Sequence, residues 1–216
     1  MNMKRIMCFG DSNTWGAIPN RPERYPEGVR WTSILAQELG EGYQIIEEGH
    51  NGRTTVFGDP IETRMAGADY FYPCLESQTP LDLIILMLGT NDLKTRFGVN
   101  AYSIADGLRQ FDSVLRTAVM AGEKPEILLV SPIHLHPDYK KHVLFHDMFG
   151  ENAVERSEMF APAYQAAAKQ YGWHYMDAAK YAQASPDDGL HMAPEGHLSL
   201  GKAMTEKVRE IFKDKS

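Results

Sequence analysis

The sequence predicts an α/β protein, a three-layer α/β/α sandwich around a central parallel sheet of five strands. Two observations carry this expectation. Short apolar runs alternate along the chain with segments of helical period, which is the pattern of βαβ units joined by right-handed crossovers. The two most apolar runs, Leu83-Ile84-Ile85-Leu86-Met87-Leu88 and Ile127-Leu128-Leu129-Val130, are continuous rather than alternating, as befits central strands covered on both faces. A length of 216 residues suits one such domain over 1–216, without internal repeat or linker.

The elements follow in order. Arg5–Phe9 is an apolar run that breaks into Gly10-Asp11-Ser12-Asn13-Thr14, a cluster of turn formers, and so predicts a first strand ending in a tight turn. Ile18–Arg30, rich in Pro, Arg and Glu, predicts a surface loop. Trp31–Leu39 predicts a helix stopped by Gly40, and Tyr43–Glu48 a second strand. Asp82–Leu88 is the third strand. A helix over Ala101–Ala121 is expected from the stripe Ile104, Leu108, Phe111, Leu115 and Val119, with Asn100 as its N-cap. Glu126–Ser131 is the fourth strand. Pro132–Gly150, with four histidines among aromatics, is long enough to be a functional lid or contact loop. A helix over Asn152–Tyr171 should kink or divide at Pro162, and Trp173–Met176 is the fifth strand. The last helix starts near Pro194 and buries Leu200, Met204, Val208 and Ile211.

Composition narrows the function. A net charge of -7 with no basic stretch argues against nucleic acid as the main partner. Cys8 and Cys74 are too few for a disulfide framework, and Cys8, inside the first strand, is expected as a buried free thiol. After Lys4-Arg5 only Ile6 to Phe9 are apolar, far short of a signal sequence, and the run Leu81–Leu88 contains Asp82 and is too short to span a bilayer. The expectation is a cytoplasmic protein with no membrane partner.

The chemistry gathers at one sheet edge. Ser12 falls at the carboxyl end of the first strand, where open α/β sheets bind and react. A serine needs a base, and His191 is the best candidate because Asp188, three residues earlier in a Gly-punctuated loop, can turn back to its Nδ1–H. Asn91, in Gly89-Thr90-Asn91-Asp92 after the most apolar strand, could donate to a developing oxyanion, and Gly52 in Asn51-Gly52-Arg53 offers a backbone N–H after the second strand. Alone, each of these short motifs is also an ordinary turn. In combination each closes a different strand on one edge. Asp11, Asn13, Trp15 and Thr90 are then the candidate substrate-binding residues, with Trp15 and aromatics of the 132–150 segment lining the entrance. Trp31 and Trp173 are expected in the core, Arg53 as a brace of the second loop through a carboxylate, and His197 as structural or exposed.

Two other classes stay open on the residues alone. A Ser/Thr/Asn/Gly loop after the first strand also suits a flavodoxin-like nucleotide or flavin binder, which leaves Asp188-x-x-His191 without a task. His134, His136, His142 and His146 with Asp138 or Asp147 could serve a metal hydrolase, although they form no ligand framework with supporting partners.

The separated blocks resemble those of the SGNH (GDSL-type) hydrolase family. Gly10-Asp11-Ser12 matches its first block with Ser12 as nucleophile, Gly52 and Asn91 match the second and third, completing an oxyanion hole with the Ser12 N–H, and Asp188-x-x-His191 matches the last. A closer similarity is to the bacterial arylesterase and acyltransferase branch, on Cys8-Phe9-Gly10-Asp11-Ser12-x-Thr14-Trp15-Gly16, Glu47-Glu48-Gly49 through Arg53-Thr54-Thr55, and Leu81 through Asp92. Asn13 stands where the family name has leucine, and His50-Asn51-Gly52 replaces Leu-Ser-Ala, so pocket shape and acyl preference are open. The resemblance implies a flavodoxin-like five-stranded sheet and a serine esterase for short, acetyl-type esters. It further implies possible acyl transfer to alcohols, no cofactor or metal, a small-molecule ester as partner, and a homo-oligomer such as the octamers of that branch. A carbohydrate O-deacetylase of the same fold is the nearest alternative.

Overall fold

A computed structural model describes residues 3–118 and 124–213. Its sheet has five strands, β1 Lys4–Gly10, β2 Tyr43–Gly49, β3 Leu83–Met87, β4 Glu126–Ser131 and β5 His174–Asp177. They lie in the order β2-β1-β3-β4-β5, and every pairing is parallel. The expected flavodoxin-like α/β/α sandwich is the fold observed. The strand order reverses at β1, so a crevice opens between the carboxyl ends of β1 and β3.

Successive strand residues point to opposite faces, and each face has its own core. Met7, Phe9, Ile84, Leu86 and Leu129 pack on one side with residues of α3 (Gly67–Gln78), α4 (Ala101–Thr117) and α7 (Phe160–Tyr171). Ile6, Cys8, Leu83, Ile85, Leu128 and Val130 pack on the other with α2 (Trp31–Leu39) and α8 (Pro194–Lys213). Leu200, Met204, Val208 and Ile211 are buried there as expected, and so is Trp31. Trp173 is partly buried against the first core. Cys8 and Cys74 are buried free thiols.

The Asn100 side chain caps α4 by accepting from Ser103 N at 3.0 Å. The stripe Ile104, Leu108, Phe111 and Leu115 is buried, whereas Val119 and Ala121 lie outside the described residues. Several expectations need correction. The helix over 152–171, expected to kink or divide at Pro162, does divide, into α6 (Ala153–Glu158) and α7, but the break is at Met159. Pro162 sits in the first turn of α7, where its missing N–H removes no intrahelical bond. Helix α3 was not anticipated, because Pro73 within it reads as a breaker. That proline lies on the exposed side, with Phe71, Cys74 and Leu75 buried. The 132–150 segment contains a 3₁₀ turn, Pro137–Lys141, and a helix, α5 (Val143–Phe149). Loop 18–30 has neither strand nor helix and is tied down by Arg24 and Arg30, which pair with Glu47 at 2.8 and 2.9 Å. No helix among the described residues is long and apolar enough to cross a membrane.

Candidate active site

The crevice is furnished by four strand ends. Past β1 the chain enters a four-residue helix, α1 (Ser12–Trp15), whose start is capped by the Asp11 carboxylate accepting from Asn13 N at 3.0 Å. Ser12 is thus the first helical residue, and its N–H is among those a helix start leaves without an intrahelical acceptor. Gly49, at the end of β2, lies so close to the backbone of Trp15 that a side chain there would collide with it.

The Ser12 Oγ lies 3.0 Å from His191 Nε2, and His191 Nδ1 lies 2.7 Å from Asp188 Oδ2. Asp188 is fully buried, with both oxygens engaged: Oδ1 accepts from Leu190 N and His191 N at 2.9 Å each, and Oδ2 also accepts from Asn20 N at 3.3 Å. Burial alone would raise its pKa. The hydrogen bond and charge of His191, with the two backbone donors, outweigh that and hold Asp188 below the usual carboxylate range. It is therefore an anion fixed against the imidazole, which sets the Nδ1–H tautomer.

The second and third strand ends form the opposite wall. Gly52 takes φ +75°, a conformation that favours glycine, in a turn closed by Arg53 N donating to His50 O at 3.2 Å. Arg53 braces this turn, but through carbonyls rather than the carboxylate expected: its guanidinium donates to Gly10 O at 2.9 Å and to Glu48 O, and stacks 4.3 Å from the Phe9 ring. The Asn91 amide donates one hydrogen to Arg53 O at 3.1 Å, leaving the second. Asp92 is buried and accepts from Thr55 N and Thr55 Oγ1, tying the third strand end to the second. Burial pushes the Asp92 pKa up to about 7 against these bonds, with Asp11 adding to the rise. Asp11 is likewise raised to about 6 by burial, opposed by the Asn13 N–H, the charges of His191 and Arg53 and the Thr90 hydroxyl.

These groups face a cavity of about 270 Å³. Ser12, Asn13, Trp15, Gly52, Thr90, Asn91 and His191 line it, as expected from the sequence, whereas Asp11 stands behind the wall as a helix cap. Asn13 contributes to the wall, but both ends of its amide are taken by backbone: Nδ2 donates to Leu190 O and Oδ1 accepts from Met192 N, each at 3.1 Å. One side of the cavity is apolar, with Leu144, Phe145, Met148 and Phe149 from the 132–150 segment, and the Phe145 ring stands edge-on to His191 at 6.5 Å. The other side is polar. Glu62 and Arg64 border Gly52, and buried Lys94 pairs with Glu62 at 2.7 Å and Asp59 at 3.4 Å. The sequence reading missed Asn20, Glu62, Arg64 and Lys94. Their only signal is charge or amide side chains in loops, which many surface residues share.

Two of the four histidines of the 132–150 segment have local partners. His136 caps the 3₁₀ turn by accepting from Asp138 N at 3.2 Å, and His146 lies 2.8 Å from Glu151. Among the described residues no three His, Cys, Asp or Glu side chains are grouped to hold a metal ion. His197 is buried and structural, accepting from Trp31 N at 3.3 Å.

Residues 8–198 match the GDSL-like lipase/acylhydrolase family. No curated protein matches the chain. Among solved structures, the native aryl esterase of M. smegmatis is 38% identical, with a TM-score of 0.91 over 96% of this chain and 99% of that one. Est24, a carbohydrate acetylesterase from Sinorhizobium meliloti, is 37% identical, with a TM-score of 0.90 over 96% of this chain and 99% of that one. A parallel sheet that delivers a serine, a glycine turn, an asparagine and a histidine loop to one crevice, in the order this family pattern follows, leaves one assignment: the chain belongs to the GDSL-like lipase/acylhydrolase family and is a carboxylic ester hydrolase.

Proposed function

We propose that this protein is a serine esterase for short, acetyl-type esters, working through a covalent acyl-enzyme. The observation that carries the reading is the run of hydrogen bonds from Ser12 Oγ through His191 to Asp188, 3.0 and 2.7 Å long, at the wall of a small cavity. Ser12 attacks the ester carbonyl while His191 Nε2 takes its proton, and the buried Asp188 anion stabilises the imidazolium. The carbonyl oxygen gains charge as the bond forms and is received by the N–H groups of Ser12 and Gly52 and the spare amide hydrogen of Asn91. One such donor is worth about 3 kcal/mol of barrier. His191 then returns its proton to the leaving alcohol. Water, or another alcohol where water is excluded, repeats the sequence in reverse on the acyl-enzyme.

Trp15, Phe145 and Phe149 crowd the cavity, which favours acetyl over long chains. A second reading, removal of acetyl groups from carbohydrate hydroxyls, is favoured by the polar wall, where the buried Asn51 side-chain oxygen has no hydrogen-bond partner among the described residues. A substrate hydroxyl would satisfy it.

Release of p-nitrophenol from p-nitrophenyl acetate by wild type and Ser12→Ala is the test. The variant should lose at least about a thousandfold in turnover with its melting temperature retained. Equal turnover would remove Ser12 as nucleophile, and faster cleavage of octanoyl than acetyl esters would remove the small-acyl reading.

A further inference from the structure

Asn13 carries more than its place beside the nucleophile explains. Its side chain is buried, and both ends of the amide are committed to the two residues that flank His191. The first half of that loop is also held from outside, by His136 N donating to Gly189 O at 2.9 Å and by Asn20 donating to Asp188 Oδ2 at 3.3 Å and to the Asp187 carbonyl, while the turn itself is held from inside. Asp188 takes the N–H groups of Leu190 and His191, and the His191 carbonyl accepts from Ser185 N at 2.7 Å. Those bonds fix the loop's shape, its first half and the His191–Asp188 pair, but none of them joins the residues flanking His191 to the segment that carries Ser12. Asn13 supplies that link. Its backbone is joined covalently to Ser12, its N–H is fixed on Asp11 Oδ1, and its amide grips the chain immediately before and after the imidazole.

We infer that Asn13 is a positioning residue, which holds His191 Nε2 on Ser12 Oγ by pinning the Leu190 carbonyl and the Met192 N–H. The assignment rests on the esterase reading above. It also explains why an amide stands here. The Leu190 carbonyl needs a donor and the Met192 N–H an acceptor, and a primary amide offers both on one short stem. Leucine offers neither and leaves two backbone groups without partners. Aspartate keeps the acceptor but sets an anionic oxygen against the Leu190 carbonyl.

The prediction concerns alignment. A misplacement near 1 Å of a reacting group can cost on the order of a hundredfold. His191 acts in both acylation and deacylation, so the loss appears in kcat whichever step limits. The test is steady-state hydrolysis of p-nitrophenyl acetate by Asn13→Leu and Asn13→Asp, per active site titrated to completion with a fluorophosphonate, so that unfolded molecules are not counted. The expected result for both variants is a kcat reduced about 10- to 100-fold with KM within about twofold. The downfield Nδ1–H proton resonance of the His191–Asp188 pair should persist.

An unchanged kcat per titrated site, with only a lowered melting temperature, would make Asn13 merely structural and overturn the proposal. A raised KM at unchanged kcat would make it a substrate contact and overturn it equally. Should Asn13→Leu fail to fold, Asn13→Asp, of nearly the same volume, decides alone. Ser12→Ala in the same assay separates the two claims, since retained activity there would defeat the esterase reading whatever Asn13 does.

Discussion

His197 shows how a single buried ring couples this fold to pH. Its Nδ1 accepts the Trp31 N–H, so the proton sits on Nε2, and the ring meets Tyr25 edge-on at 5.3 Å. Burial, then the charges of His191 and Arg30, push its pKa from 6.5 down to about 4. Between those values the unfolded chain binds a proton that the folded chain refuses, so stability falls as pH drops from about 6.5 towards 4, by up to about 3 kcal/mol. Asp11 and Asp92 act with the opposite sign. Their folded pKa values are raised, to about 6 and about 7, so the stability they contribute near pH 4 is lost as pH climbs through those values. His197→Asn keeps an acceptor for Trp31 and removes the titration. Urea denaturation of this variant at pH 4.5 and pH 7 should show the acid-side loss reduced by at least about 1 kcal/mol, and an unchanged loss would place the effect on other groups. At this scale the sequence was most legible where a residue's place is set locally. Ser12, Gly52, Asn91 and His191 each follow an apolar run or a turn that announces a sheet edge. The tasks of Asn13 and Asp92 were hidden, because their partners lie 177 and 179 residues away in one case and 37 in the other. An amide or carboxylate in a sequence does not say which backbone it will hold.

Among the elements, α5 has the most direct bearing on what the cavity admits. It lays Leu144, Phe145 and Met148 along one side, with Phe145 against the His191 ring. Phe145→Ala should lengthen the acyl pocket, and the ratio of kcat/KM for octanoyl over acetyl p-nitrophenyl esters should rise at least about fivefold. A constant ratio would move the acyl pocket to another wall. Strands and amphipathic helices were readable because period and continuity are local signals. α5 was not, since the 132–150 segment mixes Pro, His and aromatics without a repeating stripe, and Val143 and Leu144 are largely exposed although Leu144 borders the cavity. Pro73 concealed α3 in the same way. Its exposed position leaves the buried face of Phe71, Cys74 and Leu75 intact, and packing on the sheet outweighs the local cost.

Across the whole molecule the sheet separates two cores that share strands but not side chains. Ile84 belongs to one and Ile85 to the other, although they are neighbours on β3. Ile84→Val and Ile85→Val should each lower unfolding free energy by about 0.5–1.5 kcal/mol. In the double variant the losses should add within about 0.5 kcal/mol, and a larger deviation would mean that strain crosses the sheet. The architecture was legible from alternation and from two continuous apolar runs. The strand order, and hence the crevice beside β1, was available only through resemblance, since apolar runs state that strands pair but not with whom. That order also has a temporal consequence. Ser12 leaves the ribosome 179 residues ahead of His191, and the carbonyl gripped by Asn13 follows as late. On the proposed mechanism a nascent chain stays chemically silent towards esters until residue 191 has emerged and the chain has closed on itself, so the first turnover would mark that closure.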